Sequence, residues 1–125
     1  MIVPNYTVIK DTREQDGWIF SEFDKCSGME IKGLETGDYT LKGYEEVVCV
    51  ERKGSTAEIA MNLGRKKGPF ENEMERMKYF PFSFIICEFS MSELLSYPEN
   101  SKVPESLHQQ VRVTGKYLLK SLLEF

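Results

Sequence analysis

Residues 37–55, GDYTLKGYEEVVCVERKGS, have the pattern of a β-hairpin with its charges in an unusual place. Two runs rich in apolar and β-branched residues flank KGYEE, whose glycine and polar residues are typical of a turn. Asp38 lies at the start of the first run, and the charged triplet ERK, residues 51–53, ends the second. The hairpin therefore carries carboxylates and a lysine at one end.

The register of this hairpin follows from the position of its turn. If Asp38 pairs with Glu51, the turn is centred between Tyr44 and Glu45, inside the segment that has turn composition. Side chains alternate along a strand, so Glu51 and Lys53 share one face while the arginine between them points to the other. The pattern predicts two neighbouring carboxylates with a lysine beside them.

Two carboxylates and a lysine in this arrangement favour a particular chemistry. Adjacent carboxylates raise one another's pKa unless a cation lies between them. Hard oxygen ligands suit Mg²⁺, which also keeps waters and takes phosphate oxygens of a substrate. A lysine on the same face can steady the attacking water or the charge that develops on the phosphate. This is the logic of phosphodiester hydrolysis, although an ERK triplet alone is more commonly a solvated edge or a salt-bridge cluster.

Length and composition exclude several classes of protein. We expect one domain spanning residues 1–125, with 41% hydrophobic and 29% charged residues as in ordinary globular proteins. No apolar run reaches the roughly 18 residues of a membrane span, and no signal peptide is visible, so we expect a cytosolic protein. Three scattered cysteines and one histidine do not predict a zinc site. The net charge of −4 argues against whole-surface affinity for nucleic acid, but not against a local basic groove.

Strand patterns first follow one another and then alternate with helical patterns, which indicates an α/β fold with a mixed sheet. Strands are predicted at 6–11, 29–41 with a break at Gly33, 46–53 and 82–89, the last as a buried strand. Helices are predicted after Ser55, after Pro69, after Ser90 and, as one long helix, over 104–125. Ser55 with Glu58 has the spacing of a capping box. Residues 17–23 fit either a short helix or a loop packed by Trp18.

The complete pattern resembles the XPF family of structure-specific DNA endonucleases, in which G-D…E-R-K-x-x-x-D marks the nuclease domain. Five segments resemble family motifs in the correct order: DTRE at 11–14, LETGDYTL at 34–41, VCVERK at 48–53, PFENEMERM at 69–77 with Glu73 where glutamine is common, and FIICEF at 84–89. The resemblance covers about Val8 to Phe89 and is far more specific than the triplet alone.

The resemblance implies a restriction-endonuclease-like fold, a three-layer α/β/α core around a central mixed sheet. It implies an Mg²⁺- or Mn²⁺-dependent endonuclease that acts on branched, flap or single-strand-containing DNA in repair or recombination. The partners it implies are DNA and a second subunit, in a homodimer or heterodimer, without a membrane. We expect the nucleoid or host cytosol as location in a prokaryotic or viral setting, which the compact length allows, and the nucleus in a eukaryote.

Site residues follow from the same resemblance. Asp38 and Glu51 would be the principal metal ligands, with the backbone carbonyl of Arg52 as a further ligand. Asp11 would complete the acidic cluster from the neighbouring strand, and Lys53 would be the catalytic lysine.

Supporting residues are less specific. The resemblance implies that Arg13 and Glu14 support the site or touch DNA, and that Arg76 is structural or faces a phosphate. The loop 64–68, GRKKG, concentrates the cations Arg65, Lys66 and Lys67. Contact with DNA phosphates and simple solvation of this loop are equally good interpretations.

Two departures from the family pattern are visible. Ala57 stands where the motif has its last aspartate, and Glu58 is an uncertain substitute because it lies about 100° away on a helix. The chain also stops where the family places a further strand, so we expect a domain truncated at its C-terminus. The alternative function is a catalytically silent module for DNA binding or dimerisation. The intact Asp38, Glu51 and Lys53 argue against it, and Ala57 argues for it. A restriction or recombination enzyme with the same core is a third interpretation.

Overall fold

The computed structural model describes residues 2–125. Its strands are β1 (Tyr6–Asp11), β2 (Cys26–Lys32), β3 (Tyr39–Leu41), β4 (Val48–Lys53) and β5 (Phe82–Cys87). Its helices are α1 (Thr56–Leu63), α2 (Lys67–Met77), α3 (Met91–Leu95) and α4 (Gly115–Leu123), with a 3₁₀ helix over Glu105–Gln110. Within residues 2–125, none of the helices has the length and apolar character that crossing a membrane requires.

The strands form one mixed sheet in the order β2-β1-β3-β4-β5. β1 pairs in parallel with β2 and antiparallel with β3, and β3 pairs antiparallel with β4. The predicted α/β class is therefore confirmed. The predicted hairpin is also present, because Tyr39 faces Val50, which is the register that places Asp38 opposite Glu51.

The chain divides into two compact units. The first contains the chain up to Glu51 together with residues 75–85, and the second contains residues 52–74 and 86–125. Buried apolar side chains of the first unit include Val8, Ile9, Tyr39, Cys49 and Met77. Those of the second unit include Ile59, Leu63, Phe70, Met74 and Leu118.

Residues 17–23 form a loop, which decides between the two interpretations of this segment. The Trp18 ring stacks on the buried Tyr39 ring with centroids 4.8 Å apart, and the Trp18 N–H donates to the Tyr39 hydroxyl at 2.7 Å. The loop is therefore packed onto β3 through its aromatic side chain, in the first unit.

The prediction that 82–89 is a buried strand is wrong in one respect. β5 is a strand, but it lies at an edge of the sheet and Phe82, Phe84 and Ile86 are exposed. Apolar composition predicts a strand but not which of its faces is buried, because burial depends on packing against elements that are distant in sequence.

The long C-terminal helix predicted over 104–125 is also wrong. The 3₁₀ helix ends at Gln110, an extended segment follows, and α4 begins at Gly115. Thr114 caps α4 by accepting the Tyr117 N–H at 3.2 Å, and the preceding β-branched residues of VRVT disfavour a continuous helix. At Gly115 a Cβ atom would lie 2.4 Å from the carbonyl oxygens of Leu94 and Leu95, so glycine permits close packing of α4 on α3.

Candidate active site

Three acidic residues form a row at the ends of neighbouring strands: Asp11 ends β1, Asp38 immediately precedes β3, and Glu51 is in β4. Lys10 faces Tyr39 in the pairing of β1 with β3, so one residue further along Asp11 is opposite Asp38. The Asp11 N–H donates to the Asp38 carbonyl at 2.8 Å, in agreement with this register. Tyr39 faces Val50 in the pairing of β3 with β4, and the N–H of Asp38, the residue before β3, donates to the Val50 carbonyl at 2.8 Å, so Asp38 lies beside the end of β4 that carries Glu51. The strand pairings thus bring Asp11, Asp38 and Glu51 to neighbouring positions in the first unit.

The aligned positions do not form a cage of three ligating side chains. Among residues 2–125, no three Asp, Glu, His or Cys side chains are grouped so that they could hold a metal ion. The carboxylate of Asp11 is already engaged with two neighbours in its own unit. Its Oδ1 accepts the Leu34 N–H at 2.8 Å, and its Oδ2 accepts Arg13 Nε at 2.8 Å and the Arg13 N–H at 3.3 Å.

The contacts of Asp11 keep its carboxylate ionised. Burial alone would raise the pKa of this carboxyl group. The hydrogen bonds from Leu34 and Arg13 and the charge of Arg13 act in the opposite direction, and the pKa lies below its ordinary value of 3.8. Asp11 is therefore a buried anion that ties the end of β1 to the segment that leads into β3.

The loop of residues 34–37, which leads into Asp38, is held by three side chains from the predicted motifs. Asp11 accepts the N–H of Leu34, and Arg13 Nη2 donates to the Leu34 carbonyl at 2.9 Å. Arg76 Nε donates to Thr36 Oγ1 at 3.0 Å. Arg13 and Arg76 therefore both hold the loop that leads into Asp38.

Glycine is required immediately before Asp38. Gly37 has a φ of 82°, which side chains rarely tolerate. A Cβ atom at this position would also lie 2.6 Å from Cys49 Sγ and 3.1 Å from the Val50 carbonyl oxygen. The glycine of the G-D pair thus lets the chain approach β4 closely enough for Asp38 to be opposite Glu51.

The face of β4 that carries Glu51 is buried. Burial alternates along the strand, and Cys49, Glu51 and Lys53 are the buried members. Glu51 is 6% exposed and Lys53 is 5% exposed. A carboxylate and an ammonium group at such low exposure need compensating partners, which marks this strand face as more than a solvated edge.

Lys53 has two contacts within the second unit. Its Nζ lies 3.9 Å from Glu58 Oε1 and 5.3 Å from the centre of the Phe70 ring. Glu58 Oε2 accepts the Gly54 N–H at 2.9 Å. The predicted capping box is therefore only half formed. Ser55 Oγ accepts the Glu58 N–H, but the Glu58 carboxylate accepts the N–H of Gly54 instead of that of Ser55. Glu58 is occupied at the end of β4, next to the lysine.

Arg52 points away from this face and pairs with Glu88, whose N–H donates to the Lys53 carbonyl at 2.9 Å. Sequence reasoning predicted neither Glu88 nor Phe70 as neighbours of the triplet. The alternation of side chains along β4 predicts that Arg52 points to the face opposite Glu51 and Lys53. It does not predict which residue pairs with Arg52 there. Glu14 closes the turn after β1 through its N–H, which donates to the Asp11 carbonyl at 3.1 Å.

The cations of the GRKKG loop lie in the second unit and are exposed. Lys67 begins α2 and forms an ion pair with Glu71 at 3.8 Å, one helical turn away. Such an exposed pair contributes little to stability. Arg65 and Lys66 precede the helix.

Comparison with known proteins gives one structural relative. The fold is similar to that of XPF from Aeropyrum pernix, with a TM-score of 0.59 and 21% sequence identity over 94% of this chain. The match covers 46% of the Aeropyrum chain, so this chain spans less than half of that relative's length. No protein-family model and no curated protein sequence matches this chain. The predicted α/β fold with a central mixed sheet is confirmed by this likeness.

Replacing Gly37 tests whether its close approach to β4 matters. We expect Gly37→Ala to lower the free energy of unfolding by about 1–3 kcal/mol, because the new methyl group meets Cys49 and the backbone at a strained φ. Gly33→Ala is the matched control, since nothing lies within 4 Å of its added Cβ. Urea unfolding followed by circular dichroism measures both, and equal stability of the two variants would contradict this explanation.

Replacing Asp11 tests its contribution to stability as an anion. Because the folded pKa lies below 3.8, the stabilisation is present at neutral pH and is lost as the pH falls through the folded pKa. We expect Asp11→Asn to be less stable than the native chain by about 1–3 kcal/mol at pH 7, with a gap that closes in acid. Thermal unfolding of both proteins between neutral and acid pH measures this difference in stability. A difference that does not depend on pH would contradict the prediction.

Proposed function

We propose that this chain is a divalent-metal-dependent endonuclease that hydrolyses phosphodiester bonds in DNA. The observation that carries the proposal is the pairing of Tyr39 with Val50, which brings Asp38, the residue before β3, close to Glu51 of β4. Lys53 follows Glu51 by two residues on the same buried face of β4. The fold likeness to XPF supports this class of protein.

The donor set suits Mg²⁺ or Mn²⁺. Asp38 and Glu51 supply hard carboxylate oxygens, and Mg²⁺ is commonly held by one or two carboxylates together with waters and substrate oxygens. The backbone carbonyl of Arg52 is the proposed third ligand. Asp11 can contribute through Oδ1, because this oxygen accepts a single hydrogen bond and retains a lone pair.

The residues have distinct roles in the proposed reaction. When bound, the ion supplies positive charge that neutralises the phosphodiester and favours ionisation of water. Lys53 supplies a second positive charge, which stabilises charge developing on the phosphate. Glu58 and Phe70 hold the Lys53 ammonium group in place within the second unit. Arg13 and Arg76 act further away, by fixing the loop that carries Asp38.

The substrate class rests on the motif resemblance. Five motif segments in family order support DNA as the substrate, and branched, flap or single-strand-containing DNA is the class that they imply. The chain would work as a homodimer or heterodimer, in repair or recombination. Asp38, Glu51 and Lys53 are the residues on which cleavage depends.

A catalytically silent DNA-binding or dimerisation module is the second candidate. Ala57 replaces the last motif aspartate, and residues 2–125 contain no group of three potential ligating side chains. These two observations favour a site with weakened metal affinity. The two candidates differ in a single measurable respect, which is cleavage.

Cleavage of labelled fork, flap, junction and plain duplex DNA in Mg²⁺ or Mn²⁺ tests the proposal. We expect the native chain to cut at least one branched substrate, and Asp38→Asn and Glu51→Gln to lose about 10³-fold or more in rate, because each removes an ionised ligand. Asp24→Asn is the matched control, because it makes the same chemical change at an exposed position of the first unit. It should retain activity.

DNA binding measured in the presence of EDTA distinguishes a folded variant that cannot cleave from a variant that is unfolded. Asp38→Asn and Glu51→Gln should still bind the substrate that the native chain cuts. Cleavage that is undiminished in both variants would exclude the proposed site. Tight binding by the native chain without cleavage of any substrate would establish the silent module instead.

A further inference from the structure

The second unit contains a concave surface that is rich in cations. This surface, which we call the basic cavity, has a volume of about 610 Å³. Residues from α1, from the segment after it and from the region around the 3₁₀ helix line it. The side chains that matter for its chemistry are Arg65, Lys102, Arg112, Met61, Tyr97 and Leu107. None of the described residues that line the cavity is Asp or Glu.

The cations of the basic cavity lack internal partners. Within residues 2–125, the side chains of Arg65, Lys102 and Arg112 form neither an ion pair nor a hydrogen bond with another residue. Elsewhere on the same chain, lysines pair with nearby glutamates, as Lys42 does with Glu30. Acidic residues outnumber basic ones by 20 to 16, so the lack of carboxylates around three cations is a local departure from the composition.

The apolar part of the basic cavity restricts what can occupy it. Met61 and Leu107 are exposed there, and Tyr97 is half-buried. A free inorganic anion satisfies the cations but covers none of this apolar surface. Duplex DNA presents phosphates on the outside with its bases stacked within. A single strand presents phosphates and unstacked bases together, and proteins bind it by combining a cationic groove with aromatic side chains, such as Tyr97 in this cavity, on which bases stack.

We propose that the basic cavity binds a single-stranded segment of nucleic acid. Phosphates contact Lys102, Arg112 and Arg65, and a base packs against the apolar surface of Leu107 and Met61. The choice of DNA as the strand rests on the proposed function, whereas the cavity is separate from the acidic row and needs no metal.

A charge-removal experiment with a matched control tests the phosphate contacts. The double variant K102A/R112A removes two cavity cations, and Arg65 is left unchanged because its loop is already a candidate DNA contact. K116A/K120A removes the same charge from exposed positions of α4, which do not line the cavity. Fluorescence anisotropy with a labelled oligothymidine in EDTA measures binding without cleavage, and circular dichroism checks the fold.

We expect K102A/R112A to bind the oligothymidine about tenfold more weakly, and K116A/K120A to bind nearly as the native chain does. Each phosphate contact contributes about 0.7 to the slope of log affinity against log salt on a single strand, so the slope should fall by about 1.4 in K102A/R112A alone. Equal weakening in both double variants, or none in K102A/R112A, would overturn the proposal.

The base contact is tested with an abasic strand of the same length and charge. The native chain should bind it about tenfold more weakly than oligothymidine, because an abasic strand has no base to remove the apolar surface of Leu107 and Met61 from water. Equal affinity for the abasic strand or for inorganic polyphosphate would show a general anion site and exclude single-strand recognition. These binding measurements do not depend on cleavage. A negative result in the nuclease assay therefore bears on the proposed function alone, and a negative result in the binding assay bears on the basic cavity alone.

Discussion

The position of β3, antiparallel to both β1 and β4, is the constraint on which the candidate site depends. β3 contains only three residues, yet its register with each neighbour determines that Asp11, Asp38 and Glu51 lie in one row. Gly37 makes this register attainable, because any side chain there would meet Cys49 and the backbone of β4. A one-residue slip in a strand transfers its side chains to the other face, so the chemistry would be lost with the register.

The charges that the register brings together are unequal in their surroundings. The Asp11 carboxylate is ion-paired with Arg13 and accepts the Leu34 N–H, and through these contacts it holds the loop before Asp38. Glu51 and Lys53 are buried on β4, and Lys53 is held by Glu58 and Phe70 in the second unit. In the acidic row, Asp11 therefore stabilises the loop before Asp38 through hydrogen bonds. The carboxylates of Asp38 and Glu51 are oxygen donors whose negative charge a bound cation would balance.

The parts of this fold that depend on local periodicity could be predicted from the sequence. The hairpin register followed from a strand period of two and one turn, and the order of strands and helices followed from pattern and capping residues. The contacts of Asp11 with Leu34 and of Arg52 with Glu88 could not be predicted, because they join residues 23 and 36 positions apart. The exposed face of β5 and the late start of α4 likewise depend on neighbours in space. The packing of Gly115 against the carbonyl groups of α3 is one example.

Mn²⁺ titration followed by nuclear magnetic resonance tests the proposal that Asp38 and Glu51 together hold a divalent ion. Paramagnetic Mn²⁺ broadens the amide signals of residues near its site. We expect saturable binding of one ion with selective broadening around Asp38 and Glu51, and loss of that broadening in the double variant D38N/E51Q. Broadening that is centred elsewhere, or that is unchanged in the double variant, would contradict it.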